Sequence, residues 1–322
     1  MSTLTRARTV QQSTTSHLRA TTVLRLYTSE PRYKIDEVIE AFTALNPDID
    51  VDVFRAPTGE LKSRIEVSSA TGGISADVLM AADAETFEDY KARDLLLRYT
   101  PADVAALHGN LVDPDGYYVG TRIIPSVIAY NTGAYITPPR SWKVLSERRF
   151  SGQVAIVNPL ISGAGMHNAK VWSETPSLGR LWLRDFSANR PRMVHSNVWV
   201  GELVAAGAQP LGIVADYVAR DLAARGLPIA FEYPTDGAPY VTQPVGIFKD
   251  TPNAQAAKRF VDFLVSFEGQ EIASAQHYIP VRRDVLPPAG FPRPVGIRLL
   301  APKPTTTTRT KGALARTHAS VA

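Results

Sequence analysis

The apolar residues in the first third of the chain follow two alternating periods. Apolar or alternating runs with the length of buried strands lie at 23–27, 49–54 and 76–81. Between the first two, Ile35, Val38 and Phe42 recur at three- to four-residue spacing, which predicts one buried helix face. Pro31 lies where it favours the start of this helix. Strands that alternate with helices predict a mainly parallel sheet covered by helices.

Two long extended stretches interrupt this alternation, at Gly116–Asn131 and Tyr240–Lys249. Each has a proline near its middle, Pro125 and Pro244, which removes a ladder hydrogen bond at that point. We interpret each stretch as a strand that leaves one lobe and enters another. The pattern therefore predicts two α/β lobes joined by a two-strand hinge, with strand-to-helix turns lining the cleft between them.

The chain divides accordingly. The predicted units are a disordered leader at 1–22, a first lobe at 23–122 and 243–300, a second lobe at 126–239 and a disordered tail at 301–322. The leader is polar and lacks the apolar core of a secretory signal. The tail combines a Thr305–Thr308 run with basic residues and has no apolar periodicity.

Composition narrows the class of protein. The 322 residues, 44% hydrophobic, are enough for two cores, and no apolar run reaches the roughly 18–20 residues of a membrane span. The absence of cysteine excludes disulfides, thiolate metal sites and cysteine nucleophiles. The net charge of +4 is not gathered into a basic stripe with interleaved aromatics, so we expect no nucleic-acid partner.

One turn in the middle of the chain is suited to an anion. A short apolar run at 154–157 is followed by Ser162-Gly163-Ala164-Gly165, which opens a segment of helical composition. A serine and small residues at a helix start leave the first N–H groups uncovered, and the helix dipole favours negative charge there. The alternative is an ordinary serine N-cap.

Catalytic signatures are missing from the sequence. It contains no His-Glu-x-x-His, no Gly-x-Ser-x-Gly, no P-loop and no Gly-x-Gly-x-x-Gly. Ser162 and His167 lie five residues apart, a poor separation for one helix face. We expect a protein that is not an enzyme and carries no cofactor.

Nine segments resemble one known family in their order and spacing. They are Leu24–Ser29, Thr58–Leu61, Ala76–Leu79, Asp113–Gly120, Val127–Asn131, Pro139–Trp142, Phe150–Ala155, Pro159–Gly163 and Asn253–Gln270. The family is the bacterial extracellular solute-binding proteins of ABC importers, in the branch of ferric-ion, phosphonate and sugar-phosphate binders. The resemblance implies a type II periplasmic-binding fold, a periplasmic location, an ABC permease as partner and a monomer.

The resemblance also implies the ligand-binding positions. In the first lobe they are Thr28, Ser29, Thr58, Gly59, Ala82 and Asp83, and in the second Ser162, Gly163, Ala164, Asp216 and Tyr217. Arg122, at the crossing, is a candidate to face an anion. Each has a plainer interpretation: turn chemistry for the Thr28 and Thr58 turns, helix caps for Asp83 and Asp216, a core aromatic for Tyr217 and a structural salt bridge for Arg122.

We expect a small anionic solute, a phosphonate or a phosphorylated metabolite, and no metal. Ferric ion is the runner-up, with Tyr217 as its ligand. It is weakened because Asp216-Tyr217 offers one phenolate where ferric binders of the family have adjacent tyrosines, and because the turn at 27–31 has no histidine. Two functions outside this class stay open: an enzyme that acts on a phosphorylated compound on the same scaffold, and a ligand sensor without a transport role.

Overall fold

The computed structural model describes residues 21–291 and 297–301. The strands are β1 (Thr22–Thr28), β2 (Ile49–Arg55), β3 (Val78–Met80), β4 (Val119–Gly120), β5 (Ile124–Asn131), β6 (Val154–Val157), β7 (Arg192–Val194), β8 (Leu211–Ala215), β9 (Ile229–Glu232), β10 (Ala238–Val241), β11 (Pro244–Ile247) and β12 (Leu299–Leu300). The helices are α1 (Arg32–Leu45), α2 (Thr58–Thr71), α3 (Ala84–Ala92), α4 (Gly163–Glu174), α5 (Gly179–Ala188), α6 (Asn197–Ala205), α7 (Asp216–Ala224), α8 (Ala254–Val265) and α9 (Phe267–Ala275).

The first sheet has the strand order β2-β1-β3-β11-β4. Strands β1, β2 and β3 run parallel, each is followed by a helix, and β11 pairs antiparallel with β3 and β4. The α1 face that the sequence predicts is buried, with Ile35, Val38 and Phe42 at most 2% exposed. Phe42 packs against Phe260 of α8, with ring centroids 5.1 Å apart. This sheet and helices α1, α2, α3 and α8 are the first lobe.

The second sheet has the order β12-β10-β5-β8-β6-β7, and β9 also pairs with β5. Strands β6, β7 and β8 are parallel and lead into α4, α6 and α7. Strand β5 is antiparallel to β8, β9 and β10. One core cluster contains Trp142, Trp172 and Trp182, and a separate cluster contains Val200, Val218 and Leu222. This sheet and helices α4–α7 are the second lobe.

The predicted fold class is confirmed, with two α/β lobes joined where β4 leads into β5 and β10 into β11. The sheets are mixed rather than mainly parallel, because β5 and β11 pair antiparallel with all of their neighbours.

One boundary differs from the sequence analysis, which assigned 243–300 to the first lobe. Strand β12 pairs with β10, so Leu299–Leu300 lies at the edge of the second sheet. The leader and the tail fall almost wholly outside the described residues, at 1–20 and 302–322. Within the described ranges, every helix is too short or too polar to cross a bilayer.

Candidate functional site

A cleft with a cavity volume of about 80 Å³ lies between the two lobes. Parallel strands direct their carboxyl ends, and the helices that follow them, to one edge of a sheet. The wall from the first lobe includes Ser29, Glu30, Arg55, Thr58 and Ala82. The wall from the second lobe includes Ser162, Ala164, His195, Asn197, Ala215 and Tyr217. Ile124, Ser126, Val241 and Gln243, on or beside the crossing strands, complete the lining.

The first turns of α2, α4 and α6 contribute to the lining of this cleft, as does Tyr217 in the first turn of α7. Thr58 begins α2, Ala164 is in the first turn of α4, and Asn197 begins α6. Backbone N–H groups at a helix start have no intrahelical acceptor and carry the positive end of the helix dipole. The cleft is therefore lined by hydrogen-bond donors.

The α4 turn shows this most clearly. Ser162 is the N-cap residue, and its Oγ accepts a hydrogen bond of 3.2 Å from the Gly165 N–H. Within residues 21–291 and 297–301, no group accepts a hydrogen bond from the N–H of Gly163 or Ala164. The sequence predicts a serine cap and an anion site as alternatives for this turn. The two are compatible, because Ser162 accepts from one N–H group and leaves the N–H groups of Gly163 and Ala164 open.

Arg55 carries the one permanent positive charge among the described residues that line the cleft. It lies at the end of β2, and its Nε donates to the backbone oxygen of Glu30 at 3.2 Å. Its two Nη nitrogens have no hydrogen-bond partner in the described part of the chain. A guanidinium held by one nitrogen and open at the other two is suited to an oxyanion.

A buried charge network lies beside the cleft. Glu30 Oε1 accepts from Arg122 Nη1 at 2.8 Å and from the Tyr278 hydroxyl at 2.5 Å. Glu30 and Arg122 are at most 2% exposed, and the Arg122 guanidinium lies 4.6 Å from the Tyr278 ring centroid. Arg122 therefore forms a structural salt bridge at the hinge rather than a contact with an anion in the cleft.

Asp216 and Tyr217 begin α7 and differ in their placement. Tyr217 lines the cleft at 6% exposure, and burial raises the pKa of its phenol well above the ordinary value. Asp216 accepts from the Tyr217 N–H at 2.8 Å and from the Tyr233 hydroxyl at 2.7 Å. Burial raises the pKa of Asp216 to about 7. Asp216 is the first helical residue rather than the N-cap, and it belongs to the interior of the second lobe.

The two lobes touch directly beside the cleft, at a contact that we call the glycine seam. The Gly59 N–H donates to the Ile161 oxygen at 3.2 Å. A Cβ added to Gly163 would lie 2.3 Å from Asp83 Oδ2 and 2.9 Å from Thr58 Oγ1. Any side chain at position 163 would require Asp83 or Thr58 to shift.

A second contact, which we call the charged seam, joins α1 to α7. Asp221 Oδ2 lies 2.9 Å from Lys34 Nζ and accepts from the Tyr33 hydroxyl at 3.0 Å. His277 Nδ1 lies 2.6 Å from Asp221 Oδ1. The Lys34 side chain is 3% exposed, and burial lowers the pKa of its ammonium. With both seams formed, the lobes are closed on the cleft.

The structure separates the twelve sequence candidates into two groups. Those that line the cleft are Ser29, Thr58, Ala82, Ser162, Ala164 and Tyr217. Those that do not are Thr28, Gly59, Asp83, Arg122, Gly163 and Asp216. In the second group, Thr28 Oγ1 accepts from the Glu30 N–H at 3.0 Å, and Asp83 is the N-cap of α3. These residues shape the turns and seams around the cleft.

Sequence reasoning missed Arg55, Ser126, Asn197 and Gln243. Arg55 follows an alternating strand and directly precedes the Pro57 turn, so its position at a strand end was a usable signal. Ser126 and Gln243 carry no equivalent signal, because their contribution depends on which strands cross between the lobes. No group of three or more histidine, aspartate or glutamate side chains in the described ranges is placed to hold a metal ion.

Comparison with known proteins gives the family. Residues 24–279 match the model of the family described as bacterial extracellular solute-binding protein. A curated relative, an uncharacterized protein of Haemophilus influenzae, is 28% identical over 144 residues, which is 43% of this chain and 40% of that protein. The chain thus matches less than half the length of that relative.

Two solved structures share the fold. Iron-bound HitA from Pseudomonas aeruginosa has a TM-score of 0.74 and 21% identity, over 84% of this chain and 90% of that chain. AfuA from Actinobacillus pleuropneumoniae, with exogenous fructose-6-phosphate bound, has a TM-score of 0.79 and 20% identity, over 86% of this chain and 90% of that chain. At these identities the likeness concerns the fold alone.

Proposed function

Because the chain belongs to the family of bacterial extracellular solute-binding proteins, we propose that it is the solute receptor of an ABC importer. Its solute is a small oxyanion, a phosphonate or a phosphorylated metabolite. It acts as a monomer in the periplasm and delivers the solute to an ABC permease. Members of this family bind solutes and do not catalyse reactions, so an enzymatic role is set aside.

The observation that carries this proposal is the set of donors around the cleft. The first turns of α2, α4 and α6 line it, and the N–H of Ala164, which belongs to the lining, has no acceptor among the described residues. Arg55 adds a positive charge from the first lobe. The lining carboxylate, Glu30, is already paired with Arg122. An oxyanion is the ligand that backbone donors and an open guanidinium stabilise.

Binding is coupled to closure of the hinge. Arg55 and Thr58 belong to the first lobe, whereas Ala164 and Asn197 belong to the second. A ligand that contacts both walls interacts with the closed state more strongly than with the open one, and it shifts the population by that difference. The receptor therefore signals occupancy to its permease by its shape.

The test is a thermal-shift and calorimetric screen with inorganic phosphate, methylphosphonate and glycerol 3-phosphate. A ligand present at 100 times its Kd adds about 2.7 kcal/mol of stability. Putrescine, a cation of similar size, is the negative control. Binding of putrescine in preference to all three oxyanions would contradict the proposal.

A pair of arginine variants localises the site. Arg55→Met should weaken oxyanion binding by about 10- to 100-fold, since hydrogen bonds to charged groups contribute roughly 1.5–3 kcal/mol. Arg180→Met, at an exposed position on α5, is the matched control and should bind as the wild type does. Equal affinities for the two variants would place the anion elsewhere.

Ferric ion is the second candidate, favoured by Tyr217 at the cleft wall and by the likeness to iron-bound HitA. Two features oppose it. A single tyrosine lines the cleft among the described residues, and burial raises the pKa of its phenol, which disfavours the phenolate that ferric ion requires. A visible tyrosinate charge-transfer band on iron addition, lost in Tyr217→Phe and kept in Tyr118→Phe, would establish iron as the solute.

A further inference from the structure

The floor of the cleft is one face of two paired crossing strands. Ile124 of β5 pairs with Val241 of β10, and both line the cleft. Alternate residues of an extended chain share a face, and the next lining residue on each side is Ser126 and Gln243. Because β5 and β10 are antiparallel, Ser126 and Gln243 lie toward opposite ends of the floor. The floor therefore has polar ends and an apolar middle.

The Ser126 end lies among the donors of the second lobe. Ser126 pairs with Ala215, whose N–H donates to Asn197 Oδ1 at 3.2 Å. Ser126 Oγ accepts from Asn168 Nδ2 of α4 at 2.8 Å, so its own proton is available for donation into the cleft. This end adjoins α4 and α6, whose first turns provide the anion-binding N–H groups.

The Gln243 end has an unsatisfied donor. Gln243 is 4% exposed, lines the cleft, and its Nε2 is buried without a hydrogen-bond partner among the described residues. A buried polar atom without a partner is unfavourable, and at the wall of a cleft a bound ligand can supply the missing partner. Glu30 also lines the cleft, and both of its bonds, from Arg122 and Tyr278, are made by Oε1, so Oε2 can accept from a ligand.

The backbone at Gln243 is held in an unusual conformation. Its φ of +45° lies in the left-handed region, which side-chain-bearing residues adopt rarely. Its carbonyl oxygen accepts from Thr121 Oγ1 at 2.7 Å, which fixes the crossing strand at this residue. Strain that the surroundings maintain is common at ligand-binding positions. The amide is therefore presented to the cleft by a fixed backbone.

We infer that Gln243 is a specificity-determining residue that binds a hydroxyl group at the end of the solute remote from its anionic group. A hydroxyl accepts from the Gln243 amide and donates to the Glu30 carboxylate, which an alkyl end cannot do. Ile124 and Val241 contact the carbon atoms between the two ends. This inference rests on the proposed function and makes the solute a hydroxylated, short-chain phosphate ester or phosphonate.

The test compares three probes that differ in one end: glycerol 3-phosphate, propyl phosphate and inorganic phosphate. Gln243→Met keeps the side-chain length and removes the amide. It should weaken glycerol 3-phosphate binding by about tenfold or more, because the hydrogen bond from the amide to the ligand hydroxyl is lost. Its affinities for propyl phosphate and inorganic phosphate should change by less than about threefold, because neither probe has a hydroxyl group on a carbon chain for the amide to bind.

Two further variants make the result specific. Gln243→Leu removes the donor without adding a charge near Glu30, and it should lose the same preference for glycerol 3-phosphate. Gln255→Met, at an exposed position on α8, makes the same chemical change away from the cleft and should match the wild type. All proteins are compared by calorimetry after thermal unfolding confirms a folded state.

The outcomes separate the two proposals. If the wild type binds phosphate compounds and Gln243→Met either matches it or loses all three probes equally, the Gln243 inference is overturned alone. If the wild type binds none of the three, the proposed function fails and the inference fails with it. Selective loss of glycerol 3-phosphate supports both.

Discussion

The two seams that close the lobes are built from different interactions. The glycine seam joins α2 and α4 through the Gly59–Ile161 hydrogen bond and the bare Cα of Gly163. The charged seam joins α1 and α7 through Lys34 and Asp221, with the lysine almost fully buried. The glycine seam depends on small side-chain volume at the contact, whereas the charged seam depends on the pairing of Lys34 with Asp221. Substitutions that change volume and substitutions that change charge should therefore affect different seams.

The largest effect is expected at the charged seam. Asp221→Ala leaves the buried Lys34 ammonium without its carboxylate, and breaking a buried pair costs roughly 3 kcal/mol of unfolding free energy. Urea unfolding measures this loss. Asp185→Ala breaks an exposed pair with Arg184 and should cost less than about 1 kcal/mol. Similar losses in the two variants would show that the charged seam adds nothing.

The next effect is expected at the glycine seam, on affinity rather than on stability. Gly163→Ala places a methyl group 2.3 Å from Asp83 Oδ2 and 2.9 Å from Thr58 Oγ1, so these side chains or the lobes must shift apart. Solute affinity should fall by about 10- to 100-fold, equivalent to roughly 1.4–2.7 kcal/mol. The unfolding temperature should change little, because the lobes can open to relieve the clash and Gly163 belongs to neither core.

Gly59→Ala should have a smaller effect at the same seam. Its added Cβ would lie 3.2 Å from the Ile161 oxygen, a milder clash, so its affinity should lie between the wild type and Gly163→Ala. Calorimetry gives the affinities, and small-angle scattering gives the opening of the lobes. Tight binding by Gly163→Ala would show that the seam is not required for closure.

The two carboxylates on α7, Asp216 and Asp221, should affect the pH dependence of stability differently. The pKa of Asp216 is raised to about 7, so between pH 4 and 7 the folded protein retains a proton that the unfolded chain releases. Stability from this group is therefore present at low pH and lost as pH rises through 7. The unfolding free energy of Asp216→Asn minus that of the wild type should therefore be larger at pH 8 than at pH 5, by about 1 kcal/mol or more.

The measurement is the unfolding free energy of both proteins at pH 5 and pH 8. Other titrating groups, including His167, are common to both and cancel in the difference. The same comparison for Asp221→Asn should show a loss of stability instead, because that carboxylate is paired with Lys34. Parallel pH profiles for wild type and Asp216→Asn would contradict the raised pKa.

The smallest effect is expected at the helix caps. Ser162→Ala removes the bond from the Gly165 N–H and should cost about 1 kcal/mol of stability. Ser196→Ala, at the N-cap of α6, removes the equivalent bond from the Trp199 N–H and should cost the same. Solute affinity should change only a few-fold in either variant, because the proposed donors are backbone groups. A large loss would make the serine hydroxyls direct ligands.

The elements of the fold were predictable because their signals are local. The spacing of Ile35, Val38 and Phe42 predicted α1, and the prolines of the two extended stretches marked the hinge. The strand β12 was not predictable, since two residues carry no periodicity and its pairing with β10 is set by the tertiary fold.

The candidate site was only half predictable for the same physical reason. Ser162 carried its own signal, a serine before small residues at a helix start. The partner of Arg122 is Glu30, 92 residues away along the chain, so sequence alone left salt bridge and anion contact open. Gln243 has no such local signal, because the burial of its Nε2, which has no partner in the described part of the chain, depends on how the crossing strands pack.

The pairing of β12 with β10 has a practical consequence. Strand β1 belongs to the first sheet and β12 to the second, so residues 21 and 301, at the two ends of the described chain, are attached to different lobes. A fluorescent donor and acceptor attached at these two positions would report the angle between the lobes as a change in energy transfer. The topology thus makes the protein a ready scaffold for an optical sensor of whatever it carries.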